Sequence, residues 1–212
     1  MNSASKPEIK IEFVNDTIVG EDALFEPLQI NHLPSDIPVS YGNDGSPFGG
    51  CRKINFTSPG MPSNTNYMIV AGSDRHGEPI TEKIILSSGT VEGDIYFDKI
   101  DSITAYGPFP YQSPVSGGLS HKAIQIIGDG KEVKITTCST VSGIIKDSFE
   151  ASVSIHNGDE TGPVKIGLDL NPTLNKTTNY KIPPRGVIFE NGATISYKVK
   201  ELKMINISYI GN

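Results

Sequence analysis

Four carboxylates fall within ten residues of one another: Glu92, Asp94, Asp98 and Asp101. Such a group could hold a calcium ion or supply an acid/base pair. Calcium needs roughly six to eight oxygens from a shaped loop, and the Asp-x-Asp-x-Asp-Gly spacing of such loops is missing. These carboxylates therefore read as solvated faces of short strands. A glycosidase would need two carboxylates roughly 5–10 Å apart in a cleft, and Glu92, Asp94 and Asp98 are the first residues to test for that chemistry. Asp159-Glu160 follows Asn157-Gly158 and reads as exposed turn chemistry. His32, His76, His121 and His156 lie more than five residues apart, so no local metal pair exists. A lone loop histidine such as His76 reads as solvated or hydrogen-bonded. Cys51 and Cys138 form no C-x-x-C pair, and two reduced thiols are expected. The Gly-x-Ser-x-Gly elbow and H-E-x-x-H are absent, and the glycine-rich 45–50 stretch lacks the lysine of a phosphate loop. No catalytic, metal or cofactor-binding residue is assigned, and no cofactor is expected.

Charge narrows the partners. Eighteen Lys and Arg against 24 Asp and Glu leave a net charge of −6, and no basic run exceeds two residues. A nucleic-acid binder collects phosphate contacts on a positive footprint, so nucleic acid is not expected. The apolar runs are too short to span a bilayer, and residues 1–7 lack the apolar stretch of a secretory signal. No membrane partner is expected.

The elements that must position these residues read as strands. There are 22 glycines, 15 prolines and no tryptophan, with abundant Ile and Thr. β-branched residues suit pleated surfaces, and Gly and Pro punctuate turns. Ile9, Ile11 and Phe13 alternate with polar neighbours over 8–14, as do Ile54 and Phe56 over 52–57. Residues 67–71 and 79–86 flank a turn at Gly72-Ser73-Asp74-Arg75-His76-Gly77. Residues 94–97 and 102–106 read as shorter strands. Prolines 108, 110 and 114 with Gly117-Gly118 read as a long loop. Residues 123–127 and 132–137 flank Asp129-Gly130 and read as a type I′ hairpin. Residues 141–149 fit a strand or a helical turn. Val153 and Ile155, then Val164, Ile166 and Leu168, flank the Asn157-Gly158 turn. Asn171-Pro172 opens a loop. Asn191-Gly192 reads as a further hairpin, and Ile195, Tyr197 and Val199 are expected to pair with 204–209.

About twelve to fourteen strands separated by turn signals indicate an all-β fold, an antiparallel β-sandwich or jelly-roll-like architecture with little helix. One larger sandwich or two packed β units fit this count, with the division preferred. Residues 1–50 are expected to hold an N-terminal strand plus an extended Pro/Gly-rich arm. Residues 51–148 form the main sandwich, and 149–212 a C-terminal β domain or its continuation. Pro34, Pro38 and Phe48 belong to the arm, which is expected to gain order by draping over a neighbour. Tyr106, Phe109 and Tyr111 cluster in Tyr-Gly-Pro-Phe-Pro-Tyr. Aromatics beside proline make rigid anchors. These six residues are the interface candidates; for the aromatic three, the alternative is that they cap the open end of a sandwich.

One stretch carries a more specific pattern. Arg52-Lys53-Ile54-Asn55-Phe56-Thr57-Ser58 is followed by Gly72-Ser73-Asp74-Arg75-His76-Gly77-Glu78-Pro79-Ile80-Thr81-Glu82, then by Phe97-Asp98-Lys99-Ile100-Asp101-Ser102-Ile103. This resembles virion proteins of tailed bacteriophages, over about residues 48–135. Pro184 to Gly192 and Ile207-Ser208-Tyr209 resemble the last hairpins of such proteins. The resemblance implies a non-enzymatic structural component made in the cytoplasm of an infected bacterial host and located in the virion. Capsid decoration, neck and tail positions are all open. Its expected partners are other virion proteins (major capsid, neck or tail proteins) and further copies of itself as a homo-oligomer. A tail-tip or fibre module that binds a host glycan or protein is the alternative, and an envelope-degrading glycosidase a remote one. Within the motif, Asp74 and Gly77 should make the turn and Pro79 should open the next strand. Thr81, Lys83 and Ile85 should then face away from Ile80, Glu82 and Ile84.

Overall fold

A computed structural model describes residues 8–12, 24–30, 34–39, 51–60, 65–109, 114–120, 123–127, 130–142, 152–169, 176–197 and 202–211. Among these, every regular element is a strand and every ladder is antiparallel. The chain divides into two compact units. One comprises residues 16–121, and the other joins residues 1–15 to 122–212. The boundaries expected after 50 and 148 are thus replaced. Alternation restarts near residue 151 only because the next strand of the same unit begins there. Ile124 and Ile135 share one core with Val153 and Ile195 from beyond the supposed break.

The chain opens with β1 (Glu8–Glu12). The 16–121 unit then holds β2 (Phe25–Leu28), β3 (Ser35–Ile37), β4 (Ile54–Ser58), β5 (Tyr67–Ser73), β6 (Pro79–Ile85), β7 (Gly89–Glu92), β8 (Lys99–Tyr106) and β9 (Val115–Leu119). They form two sheets with strand orders β2-β9-β4-β7 and β3-β8-β5-β6. First pairs with last, second with seventh, third with sixth and fourth with fifth. This is one long hairpin rolled into two sheets, which is the jelly-roll topology. Phe56, Leu119 and Phe25 from one sheet and Met68, Val70, Ile84 and Ile103 from the other fill a single core.

The second unit repeats the plan. Its remaining strands are β10 (Ala123–Ile127), β11 (Val133–Ser142), β12 (Ser152–Asn157), β13 (Val164–Asp169), β14 (Lys176–Tyr180), β15 (Val187–Phe189), β16 (Ala193–Tyr197) and β17 (Leu202–Gly211). The orders are β1-β17-β11-β14 and β10-β16-β12-β13, with β15 also on β11. β14 pairs with Cys138–Ser142 and β15 with Val133–Ile135, so the two are pieces of one strand position split by Pro183-Pro184-Arg185-Gly186. Counted so, the pairing is again first with last, and the first jelly roll is inserted between the first and second strands of the other.

Three expectations change. The arm is not an arm over 24–30 and 34–39: β2 and β3 complete the two sheets, and Leu24, Phe25, Ile30 and Ile37 are buried in the core. Its prolines are tolerated because both strands lie at sheet edges, where a missing N–H costs no ladder bond. The 108–118 loop contains β9, a central strand buried along its whole length. Gly117 there serves packing, since the Phe25 ring occupies the space a Cβ would need. The Asp129-Gly130 and Asn191-Gly192 turns do not make hairpins. β10 pairs with β16 while β11 pairs with β17, and β15 pairs with β11 rather than with β16; nor does β16 pair with β17 as expected, since its partners are β10 and β12. The chain passes from one sheet to the other between β10 and β11 and again between β15 and β16.

Two hairpins stand as expected, β12–β13 around Gly158 and β5–β6 around Asp74. Asp74 Oδ1 accepts the backbone N–H groups of His76 and Glu78, and Gly77 takes φ +80°. Pro79 opens β6. Thr81, Lys83 and Ile85 are exposed, while Glu82 and Ile84 are buried and Ile80 is half-buried.

Cys51 and Cys138, one in each unit, are buried and unpaired with each other. Desolvation pushes both thiols up to about 12, so neither is a thiolate near neutral pH while folded. Phe56→Ala removes a fully buried ring from the inserted roll and is expected to cost about 3–5 kcal/mol. Thiol labelling should then accelerate at Cys51 and stay slow at Cys138. Equal acceleration at both would mean the two rolls open together.

Candidate functional site

The outer face of the β3-β8-β5-β6 sheet is a regular grid. Asp36, Thr104, Ile69 and Lys83 lie in one rank across the four strands. On one side is the rank Tyr106, Tyr67 and Ile85, with Pro34 next to Ser35, the residue opposite Ala105. On the other is Ser102, Ala71 and Thr81, with Pro38 following Ile37, which faces Ile103. Tyr67 and Tyr106 stack with centroids 5.1 Å apart and planes 9° from parallel. Lys83 Nζ sits 3.9 Å from the Tyr67 centroid, so Tyr67 lies between an aromatic from β8 and a cation from β6. Asp36 accepts the Thr104 hydroxyl at 3.0 Å. Ile85 is 51% exposed.

Three sequence-derived candidates, Pro34, Pro38 and Tyr106, therefore converge on this face. Phe109 does not; it packs, half-buried, against the core. Phe48 and Tyr111 lie outside the described residues. Tyr67, Ile69, Lys83 and Ile85 are not marked by the sequence, although alternation puts Lys83 and Ile85 on the face opposite Ile80, Glu82 and Ile84. That Tyr67 stands beside Tyr106 depends on the β5–β8 register, which no local pattern encodes.

A second cluster lies inside the same unit. Glu82 is 8% exposed and sits among isoleucines on the inner face of β6. Its carboxylate accepts the backbone N–H of Asp94, just beyond β7. Gly93 permits this, because a Cβ there would lie 2.5 Å from Glu82 Oε2. Arg52, 2% exposed, pairs its backbone with Phe97 and donates from a guanidinium nitrogen to the Ser120 carbonyl. The Ser120 hydroxyl donates to Glu92, and Lys53 Nζ lies 5.0 Å from the Tyr96 ring centroid. Burial raises the Glu82 pKa above its usual value, against the lowering effect of the Asp94 and Ile95 amides and Lys53; Asp94 adds to the rise. Asp98 is also raised by desolvation, with Arg75 opposing and Asp74 reinforcing.

Of the four clustered carboxylates, Asp94 and Asp101 are exposed, and Asp101 pairs with Lys99 at 2.8 Å. Glu92 and Asp98 are half-buried rather than on solvated faces. Among the described residues, no three Asp, Glu, His or Cys are arranged to hold a metal ion. Glu82 itself was missed as a polar group, though its place between Ile80 and Ile84 in period two was the available signal.

The other roll uses the same device with opposite charge. Lys165 on β13 donates to the Ile188 carbonyl at 2.8 Å and to the Glu190 carboxylate, and that hydrogen bond holds Glu190 below its usual pKa. Lys165 and Glu82 both stand on the fifth strand position and reach backbone on or just past the sixth. Each closes the open side between two sheets. His156 is likewise structural: Nδ1–H donates to the Gly162 carbonyl at 2.9 Å, leaving Nε2 to accept the Ser196 hydroxyl at 2.7 Å. Asp159 accepts the backbone N–H and hydroxyl of Thr161, which is turn chemistry as expected.

No family model, no curated protein and no solved structure matches the chain.

The raised Glu82 pKa has a definite sign in stability. The folded state holds this proton more tightly than the unfolded state does. The associated stability is full below the ordinary value of 4.5 and is lost as pH rises through the raised folded value. Glu82→Gln is expected to flatten the fall in stability over that window, as read by denaturant titration at a series of pH values. Asp98, also raised, contributes to the slope that remains. Gly93→Ala should cost about 1–3 kcal/mol, and less in a Glu82→Ala background, where the obstructing carboxylate is gone. Additive losses would show that Glu82 does not lean on Gly93.

Proposed function

We propose that the chain is a non-enzymatic structural component of a bacteriophage particle, assembling through protein–protein contacts with capsid, neck or tail proteins. The observation that carries this is the outer face of the β3-β8-β5-β6 sheet, a grid of Pro, Tyr and Ile with an acid on one edge strand and a lysine on the other. Rigid aromatic anchors lose little conformational entropy on docking and suit a protein–protein contact. Jelly rolls serve as building blocks in capsids, though also in lectins and cupins, so the fold is an analogy and the face is the argument. The Asp74–Glu82 hairpin, whose residues carry the resemblance to tailed-phage virion proteins, supplies two of the four strands of this face.

The polar interior supports the same reading. Glu82, Glu92, Arg52 and Ser120 are engaged with each other or with backbone, an arrangement that stiffens a frame. A sugar-binding module would offer an open ring face for stacking. Tyr67 instead has Tyr106 on one side and Lys83 on the other, which favours a protein over a glycan as the occupant.

Mass spectrometry of purified particles from the producing bacterium is expected to find the chain in many copies per particle. Particles that lack it would end this proposal.

A further inference from the structure

The charge pattern of the outer face specifies its own partner. Asp36 and Lys83 occupy the two edge strands of one rank, with Thr104 and Ile69 between them. Consider two copies packed face to face about a two-fold axis parallel to the strands, between β8 and β5. The rotation exchanges β3 with β6 and β8 with β5 while leaving each rank at its own height. Asp36 then meets Lys83 of the other copy, twice by symmetry. Tyr106 meets Tyr67, and Pro34 meets Ile85. A two-fold axis running across the strands through this rank would instead put Asp36 on Asp36 and Lys83 on Lys83, which like-charge repulsion opposes.

We infer that this face is an isologous dimer interface whose occupant is a second copy of the chain. Two aligned sheets pack about 10 Å apart at an angle near −30°, with side chains interdigitating, and self-complementarity is what a two-fold contact demands. Four strands about 4.8 Å apart and three ranks about 6.7 Å apart give a patch on the order of 400 Å² per copy. That is below the roughly 800 Å² per partner of a standard stable interface. The dimer is accordingly weak and concentration-dependent, suited to a setting that holds many copies close together.

This inference rests on reading the face as an assembly surface, and its test is separate from the test of that reading. Sedimentation velocity of the full chain, from micromolar to millimolar concentration, is expected to show a monomer–dimer equilibrium. Asp36→Lys and Lys83→Asp should each weaken it by about tenfold or more, and the double swap should restore it. Ile85→Asp, at an exposed position where folding is not at stake, should also weaken it. Circular dichroism checks that each variant is folded. A wild-type chain that stays monomeric throughout, single swaps without effect, or a folded double swap that fails to restore association would each overturn the inference. A monomeric chain present in purified particles would overturn the dimer alone, whereas a dimer absent from particles would overturn the particle proposal alone.

Discussion

The ladder between β1 and β17 sets Glu8 opposite Ser208, and the outer roll cannot close without it. Backbone N–H and C=O groups on a sheet must be paired or left to water, and β1 is the strand that pairs the outer side of β17. Everything between those two strands is a loop from the standpoint of this ladder. Closing a loop costs entropy that grows only with the logarithm of its length, about 0.6 kcal/mol per doubling. The chain can therefore insert a complete second roll at residues 16–121 without forfeiting the first. The inserted roll begins and ends next to itself, because its first strand pairs with its last. Nested pairing is what makes the insertion compatible with both folds.

The same nesting leaves each roll with open sides, where an edge strand of one sheet faces an edge strand of the other. On one such side, both rolls answer with a single long charged side chain that reaches backbone. Glu82 accepts an amide beyond β7, and Lys165 donates to a carbonyl of β15. The charges differ because the backbone groups offered differ, N–H in one roll and C=O in the other. A charge-assisted bond to backbone is stronger than a neutral one, and the low dielectric that raises the Glu82 pKa also strengthens that bond. Glu82 and Lys165 are thereby bound into the frame of their rolls.

Much of this was legible in the residues. Period-two alternation identified β1, β4, β12 and β13, and Asp74 with Gly77 identified a real hairpin between β5 and β6, because strand phase and turn chemistry are local properties. The placement of Lys83 and Ile85 opposite Ile80, Glu82 and Ile84 followed from alternation, and burial in the structure makes the latter face the inner one. The arm was misread because proline density signals irregular chain, and an edge strand tolerates proline. β9 was misread because Gly117-Gly118 signals a turn, whereas Gly117 makes room for a phenylalanine from another strand. The face itself was half visible: Pro34, Pro38 and Tyr106 were marked for their types, but not as neighbours.

What the sequence determined by itself was the class of element, the faces of the clearest strands and the places where the chain turns. Those depend on side-chain alternation and on residues that accept a positive φ, both of which act over a few positions. Only the tertiary structure decided which strand each one pairs with. An Asn-Gly or Asp-Gly turn will serve a hairpin within one sheet or a crossing between two, so the choice falls to the burial of residues far apart in the chain. That choice put β10 beside β16 rather than β11, set the strands of one jelly roll in the chain between two strands of the other, and brought Asp36, Tyr106, Tyr67 and Lys83 onto a single face.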